Sequence, residues 1–142
     1  MNTCNIHYDD WQMQCCGTPF SVGEVVKWPI AKWNAVWNAE WDKKFATLSL
    51  GTVDHCYDSH SSEYEKLSII EGTVEKIYVI HGTIEPHPTE PKMNIRYPRK
   101  AVSVTYADGK DEDIDGYGFE GYFIILKDYT SRPAKPKDIT FS

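Results

Sequence analysis

The chain has 142 residues, with 15 Lys and Arg against 21 Asp and Glu, which gives a formal net charge of −6. This length is enough for one domain with a sizeable core, and the negative charge gives no electrostatic reason to expect nucleic acid or a membrane surface as a partner. The first residues lack a basic and apolar leader, and the longest apolar run near the C-terminus is too short to span a bilayer. We therefore expect a cytoplasmic protein, in which the four cysteines are free thiols or metal ligands.

Segments rich in β-branched and aromatic residues alternate with turn signals along most of the chain, which is typical of β-strands. This pattern predicts strands at residues 5–8, 20–28, 52–57, 73–81, 101–106 and 118–127. Gly23 interrupts the second strand and indicates a bulge or a close backbone approach. Three Gly-Thr units, at 51, 72 and 82, are interpreted as turns that precede strands.

Residues 31–46 form the one predicted helix. Trp33, Trp37 and Trp41 lie four residues apart, and Phe45 continues the series, so a helix would place them along one side. The same residues also alternate with polar ones, as on a strand, but the alanine, glutamate and lysine content favours the helix. Core packing is the simpler interpretation of the Trp stripe, and a ligand-binding face is the alternative.

The prolines predict two segments without regular secondary structure. Four prolines predict a loop over residues 85–98, and further prolines predict an extended, loosely held tail over residues 130–142. The remaining residues, 1–129, are expected to form a single mainly β domain. Its predicted architecture is a small antiparallel β-barrel, SH3-like or OB-like, with one helix covering an opening.

The stretch YDDWQMQCCGTPF, residues 8–20, is predicted to be a loop that a Gly-Thr-Pro turn closes. In the structural interpretation, Asp10 and Gln12 cap the turn, because such side chains bond to turn backbone. Trp11 is then the buried plug that holds the loop on the core. In the chemical interpretation, the adjacent cysteines of this stretch take part in a metal site.

Zinc is the metal that these residue types would bind. Cys15, Cys16, Cys56 and His60 offer thiolates and an imidazole, which are common zinc ligands, and Asp58 could serve as a base beside the metal. Two features count against the site. Adjacent cysteines on an extended backbone point in opposite directions, and the chain has no CxxC spacing.

The acidic segment DEDIDG, residues 111–116, matches the start of a calcium loop, with aspartates at the first, third and fifth positions followed by a glycine. The closing glutamate of such a loop should be at the twelfth position, where this chain has Tyr122. A solvated hairpin tip explains the same residues, so we do not expect calcium.

The opening stretch also resembles a known family. An acid-Trp-Gln step at Asp10, a Cys-Cys-Gly step at Cys15 and the strand at 20–28 are similar to the start of an uncharacterised bacterial family, a domain of unknown function of the DUF6578 type. DSH at 58–60 and EGTVEKI at 71–77 resemble a later segment of the same family. The resemblance covers roughly the first 80 residues. It implies a site in this region but no mechanism, because no activity is attached to the family.

These observations predict a non-enzymatic binding module that contacts a protein or a small molecule through an aromatic-rich face. The predicted binding residues are Asp10, Trp11, Gln12, Trp33 and Trp37. A zinc-dependent enzyme, such as a hydrolase, or a structural-zinc protein is the alternative. A third hypothesis is an immunity-type protein that blocks a basic partner through its negative charge.

Overall fold

The computed structural model of the chain describes residues 2–61 and 63–138, except for the side chain of Cys16. Its strands are β1 (Thr3–Asp9), β2 (Phe20–Ser21), β3 (Val25–Lys32), β4 (His55–Tyr57), β5 (Leu67–Pro86), β6 (Asn94–Val104), β7 (Tyr106–Ala107) and β8 (Gly118–Pro133). Its α-helices are α1 (Asp10–Cys16) and α2 (Ala39–Thr47), with short 3-10 turns at Tyr64–Lys66 and Pro136–Asp138. None of the described helices is long and apolar enough to cross a membrane.

The main sheet has six strands in the order β3-β4-β1-β8-β5-β6. β3 also pairs with β5, so that five of the strands close into a ring and β6 extends beyond it as an edge. Five of the pairings in this sheet are antiparallel, whereas β1 and β4 run parallel. β2 and β7 pair separately. The mainly β prediction is confirmed, but the described residues contain two α-helices in place of the one expected.

The two faces of the sheet carry two hydrophobic clusters, because successive strand residues point in opposite directions. The first cluster contains the directly paired Tyr8 and Tyr122 of β1 and β8. The next residue pair along these strands, His7 and Phe123, points to the opposite face. There α2 packs Trp41 and Phe45 against the sheet. This second cluster is the part of the core that lies beside the candidate site.

The predicted loop at 8–20 is wrong in its middle part, because Asp10–Cys16 is a helix. Asp10 lies in the first turn, where a carboxylate interacts favourably with the helix dipole. Gln12 and Met13 are buried, whereas the Trp11 side chain is 47% exposed. The predicted plug role of Trp11 is therefore wrong, and Met13 is the apolar residue that docks α1 on the core.

The predicted helix at 31–46 is correct only in its C-terminal part. Residues up to Lys32 belong to β3, and α2 begins at Ala39. Between them, Asn34 forms a local turn in which its side-chain oxygen accepts a hydrogen bond from the Trp37 backbone N–H at 2.9 Å. Asparagine favours such turns over a continuing helix. Only Trp41 and Phe45 of the aromatic series therefore share a helix face.

The predicted loop at 85–98 shrinks to residues 87–93, because β5 runs to Pro86 and β6 begins at Asn94. Pro98 lies inside β6, which is an edge strand, where a missing N–H is tolerated. The Gly-Thr units at 72 and 82 are also inside β5 and are not turns. At the C-terminus, β8 continues through the expected boundary at 129 to Pro133, and residues 139–142 of the predicted tail lie outside the described residues.

We expect the Phe45→Ala variant to lose about 3–5 kcal/mol of the free energy of unfolding, since it deletes a ring that is 1% exposed at the centre of the second cluster. The matched variant Trp37→Ala removes a larger ring that is 75% exposed, and should change the same quantity by about 0.5 kcal/mol or less. Urea denaturation of both variants measures the difference. Equal losses would contradict the division between a core aromatic and a surface aromatic.

Candidate functional site

A cleft of about 460 Å³ lies between the turn that precedes α2 and the loop that joins β5 to β6. We call it the Trp37 cleft, and its lining residues are Val36, Trp37, Asn38, Trp41, His87, Glu90, Met93, Asn94, Ile95 and Arg96. The volume is within the usual range for small-molecule sites. Several apolar side chains of the cleft face water, and Val36 is 91% exposed. Adjacent exposed apolar side chains around a concave surface are typical of a binding site.

One wall of the Trp37 cleft belongs to the core. Trp41 is 9% exposed, and its ring packs edge-on against the His7 ring, with 4.9 Å between centroids, and against the Phe45 ring at 5.6 Å. Burial lowers the pKa of His7, which keeps this imidazole neutral within the aromatic residues. The Trp41 wall is therefore fixed by packing before any ligand arrives.

The opposite wall is the loop 87–93, and His87 organises it. The Nδ1 atom of His87 accepts hydrogen bonds from the backbone N–H groups of Thr89 and Glu90, both at 3.1 Å. The backbone N–H of His87 in turn donates to the Met93 carbonyl oxygen at 2.8 Å. Because Nδ1 is the acceptor of two backbone donors, the imidazole proton lies on Nε2.

Arg96 supplies a positively charged group to the cleft. Its guanidinium forms a bidentate ion pair with Asp10, with N–O distances of 2.6 and 3.2 Å. Asp10 is 9% exposed at the start of α1, and its hydrogen bonds raise the pKa of Arg96. The pair holds α1 against the edge strand β6 and fixes the guanidinium at the cleft.

A buried carboxyl group, Glu120, lies close to this ion pair. It is 3% exposed, and burial raises its pKa to about 8, while the Arg96 charge opposes the shift and the Asp10 charge adds to it. Glu120 is the extra residue where the pairing of β5 with β8 shifts between Ile80 and His81. Such a bulge redirects a side chain. No described residue gives Glu120 Oε1 a hydrogen bond.

The predicted binding residues divide between three places. Trp37 lines the cleft, and Asp10 reaches it through Arg96. Trp33 is buried beside the cleft, where its indole N–H donates to Asp42 Oδ1 at 3.0 Å. Trp11 and Gln12 are on α1, next to the segment at 58–60, and do not line the cleft.

Of the predicted zinc ligands, Cys15 and His60 lie close together, whereas Cys56 has a different contact. Cys15 Sγ lies 3.3 Å from His60 Nε2, and the Trp11 ring lies against the His60 ring at 4.7 Å. Cys56 instead directs its Sγ to the Ala31 carbonyl oxygen at 3.7 Å, and burial raises its pKa to about 11. The Cys16 side chain lies outside the described part of the chain.

The other chemistry predicted for this region also has structural explanations. Cys15 is disulfide-bonded, contrary to the expected free thiol or metal ligand, whereas Cys4 and Cys56 are free. Asp58, the expected base, accepts hydrogen bonds from the backbone N–H groups of His60 and Ser61, both at 3.0 Å, and so caps a turn. Within the described part of the chain, no three His, Cys, Asp or Glu side chains are arranged to hold a metal ion.

The aspartates of the acidic segment at 111–116 have separate partners. Asp111 accepts a hydrogen bond from the Tyr122 hydroxyl, and Asp113 accepts one from a backbone N–H at 3.1 Å. Asp115 forms an ion pair with Lys100 at 2.6 Å. The three carboxylates therefore stabilise a turn between strands, each through a different contact.

A family model described as a family of unknown function (DUF6578) matches residues 2–128. The chain belongs to this family. No curated protein and no solved structure matches it. The match confirms the resemblance carried by the opening stretch and extends it through the whole Trp37 cleft, from Val36 to Arg96, and through Glu120.

Three residues of the site were not predicted from the sequence. Arg96 and His87 lie in the segment predicted as an irregular loop, so no strand face could be assigned to them. Glu120 had a usable signal, because GFEGYFIIL places one acid within an apolar strand, and a buried acid of this kind often marks a functional site. Its partners could not be inferred without the bulges on either side of β5.

We expect the Glu120→Gln variant to be more stable than the parent protein by an amount that grows with pH. Between the ordinary glutamate pKa and about 8, the folded protein holds a proton on Glu120 that the unfolded chain has released, so rising pH destabilises the parent by up to about 1.4 kcal/mol per pH unit. Glutamine does not titrate. Urea denaturation from pH 5 to pH 9 measures this difference, with the exposed Glu24→Gln variant as control. A difference that stays constant over this range would contradict the buried, protonated carboxyl.

We expect treatment with a strong chelator to leave the melting temperature unchanged, because Cys56 and the Cys15–His60 contact lie in different surroundings. A structural zinc ion would contribute directly to the free energy of folding. Differential scanning calorimetry before and after chelation, together with elemental analysis, provides the measurement. Stoichiometric zinc and a lowered melting temperature would restore the zinc hypothesis.

Proposed function

We propose that the chain is a non-enzymatic binding module and that the Trp37 cleft is its ligand-binding surface. The observation that carries the proposal is the pairing of two different tryptophans in one concave surface. Trp41 forms a fixed wall within the core, and Trp37 presents a ring that is 75% exposed. A ligand that covers Trp37 would remove a large apolar surface from water.

The chemistry of the lining residues favours binding over catalysis. In the part of the chain that the structure describes, the lining of the Trp37 cleft includes no serine, threonine or cysteine that could act as a nucleophile. His87, which could act as a base, uses its Nδ1 to hold the loop backbone. Arg96 is already in an ion pair. These groups are arranged to hold a ligand, and none is paired with a group that it could activate.

The ring of five paired strands supports a further proposal about the fold. A small barrel, SH3-like or OB-like, would be made by β3, β4, β1, β8 and β5, with α2 on its outer face and β6 as the extension that carries Arg96. Folds of this kind serve many functions, so the proposed activity depends on the cleft and not on the fold.

The test uses N-phenyl-1-naphthylamine, a neutral dye whose fluorescence rises in apolar sites. We expect it to bind the parent protein and to bind the Trp37→Ala variant about tenfold more weakly, because the variant removes the exposed wall of the cleft. Tyr106→Ala is the control, since Tyr106 is also an exposed aromatic, on β7, and does not line the cleft. Equal affinity for the parent and Trp37→Ala would refute the proposed surface.

A further inference from the structure

The polar groups of the Trp37 cleft include two fixed hydrogen-bond donors. Arg96 has five N–H groups, and the bidentate pair with Asp10 uses one from each terminal nitrogen. No other described residue accepts a hydrogen bond from Arg96, and its side chain is 36% exposed at the cleft. His87 supplies the second donor, because its proton lies on Nε2. Both donors call for a ligand that carries acceptor oxygens.

Resting on the proposed function, we propose that the ligand is a small amphipathic carboxylate. Its apolar body lies between Trp37 and Trp41, and its carboxylate accepts hydrogen bonds from the remaining N–H groups of Arg96 and from His87 Nε2. Charge-assisted bonds of this kind are stronger than neutral ones, and a guanidinium matches the geometry of a carboxylate. The ligand therefore needs both an apolar group and an anionic end.

The charges around Arg96 decide whether an anion is tolerated. Glu120 is acted on by Asp9 at the end of β1, by Asp10 in α1, and by Arg96 and Arg99 in β6. Because burial keeps Glu120 protonated near neutral pH, the negative charges that act on Arg96 come from its ion-pair partner Asp10 and from Asp9. The N–H groups of Arg96 that do not bond to Asp10 are therefore not opposed by an ionised Glu120 and can donate to a ligand.

A cationic ligand is the competing choice, since the whole chain has a net charge of −6. Among the described residues that line the cleft, Glu90 is the one acid, and it is exposed on the loop. A cation between the two tryptophans would meet the Arg96 guanidinium at the same surface. The local donors therefore outweigh the overall charge in selecting the ligand.

The experiment compares three probes that share a naphthalene ring, at pH 7 and by isothermal titration calorimetry: 2-naphthoate, the neutral 2-naphthamide and the cationic 2-naphthylmethylammonium. We expect naphthoate to bind the parent protein about tenfold more tightly than either of the others. In the double variant Asp10→Asn with Arg96→Gln, which removes both charges and keeps a polar pair, naphthoate should lose this advantage. Arg99→Gln is the control, because Arg99 pairs with Glu85 outside the cleft.

The outcomes separate this proposal from the proposed function. Equal binding of the three probes, weakened by Trp37→Ala, would overturn the carboxylate and leave the binding surface. Tighter binding of the ammonium probe would overturn the carboxylate in favour of a cation. Failure of all three, together with the neutral dye, would overturn both proposals. If the double variant is unfolded by circular dichroism, the comparison of the three probes on the parent protein still decides.

Glu120 gives an independent readout. Raising the pH from 7 to 9 should weaken naphthoate binding to the parent protein, because ionised Glu120 places a second negative charge near Arg96. The Glu120→Gln variant should bind naphthoate equally at both pH values. A pH dependence that is the same in the parent and in the variant would contradict the role of Arg96 as the carboxylate donor.

Discussion

The ion pair between Asp10 and Arg96 is the interaction on which the candidate site depends. It joins residues that are 86 positions apart in the chain and connects α1 to the edge strand β6. Without it, Arg96 would be a long side chain at the end of a strand, and its ordering would cost conformational entropy when a ligand binds. The bidentate contact removes most of that cost in advance, because it fixes the plane of the guanidinium. An edge strand is thereby turned into one wall of a cleft.

Two bulges, one in each strand that pairs with β5, lie beside His81 and bring charged side chains together there. β6 contains one extra residue, Arg99, opposite His81 and Gly82, and β8 contains one extra residue, Glu120, opposite Ile80 and His81. A Cβ atom at Gly82 would collide with Glu120 Oε1 and with a carbonyl oxygen of β6, so only glycine fits between the two strands. The bulges aim Glu120 into a buried position that regular alternation would not give. The raised pKa of this carboxyl is therefore a consequence of backbone register.

The sequence predicted the mainly β composition and most strands, because β-branched and aromatic alternation depends on local residues alone. The prediction was wrong where contacts between distant parts of the chain determine the local structure. The opening stretch has no apolar periodicity long enough to indicate a helix. α1 is stabilised instead by the packing of Met13 on the core and by the ion pair between Asp10 and Arg96. Of the predicted site, Trp37 and Asp10 are at the cleft, whereas Trp11 and Gln12 are not. The rest required the register of β5, β6 and β8, which no local pattern encodes.

The tryptophans are evenly spaced in the sequence but differ in their role: Trp41 contributes to stability, and Trp37 belongs to the proposed binding surface. Trp41 packs against His7 and Phe45 and faces the cleft with its remaining surface, so a substitution there would disturb the core and the site together. Trp37 is held out by the Asn34 turn and contributes little to the core, so its exposure has no structural benefit. An exposed ring beside the exposed Val36 and at the edge of a cleft supports the proposed contact with a ligand. The turn that breaks the predicted helix is therefore the feature that exposes Trp37 at the proposed binding surface.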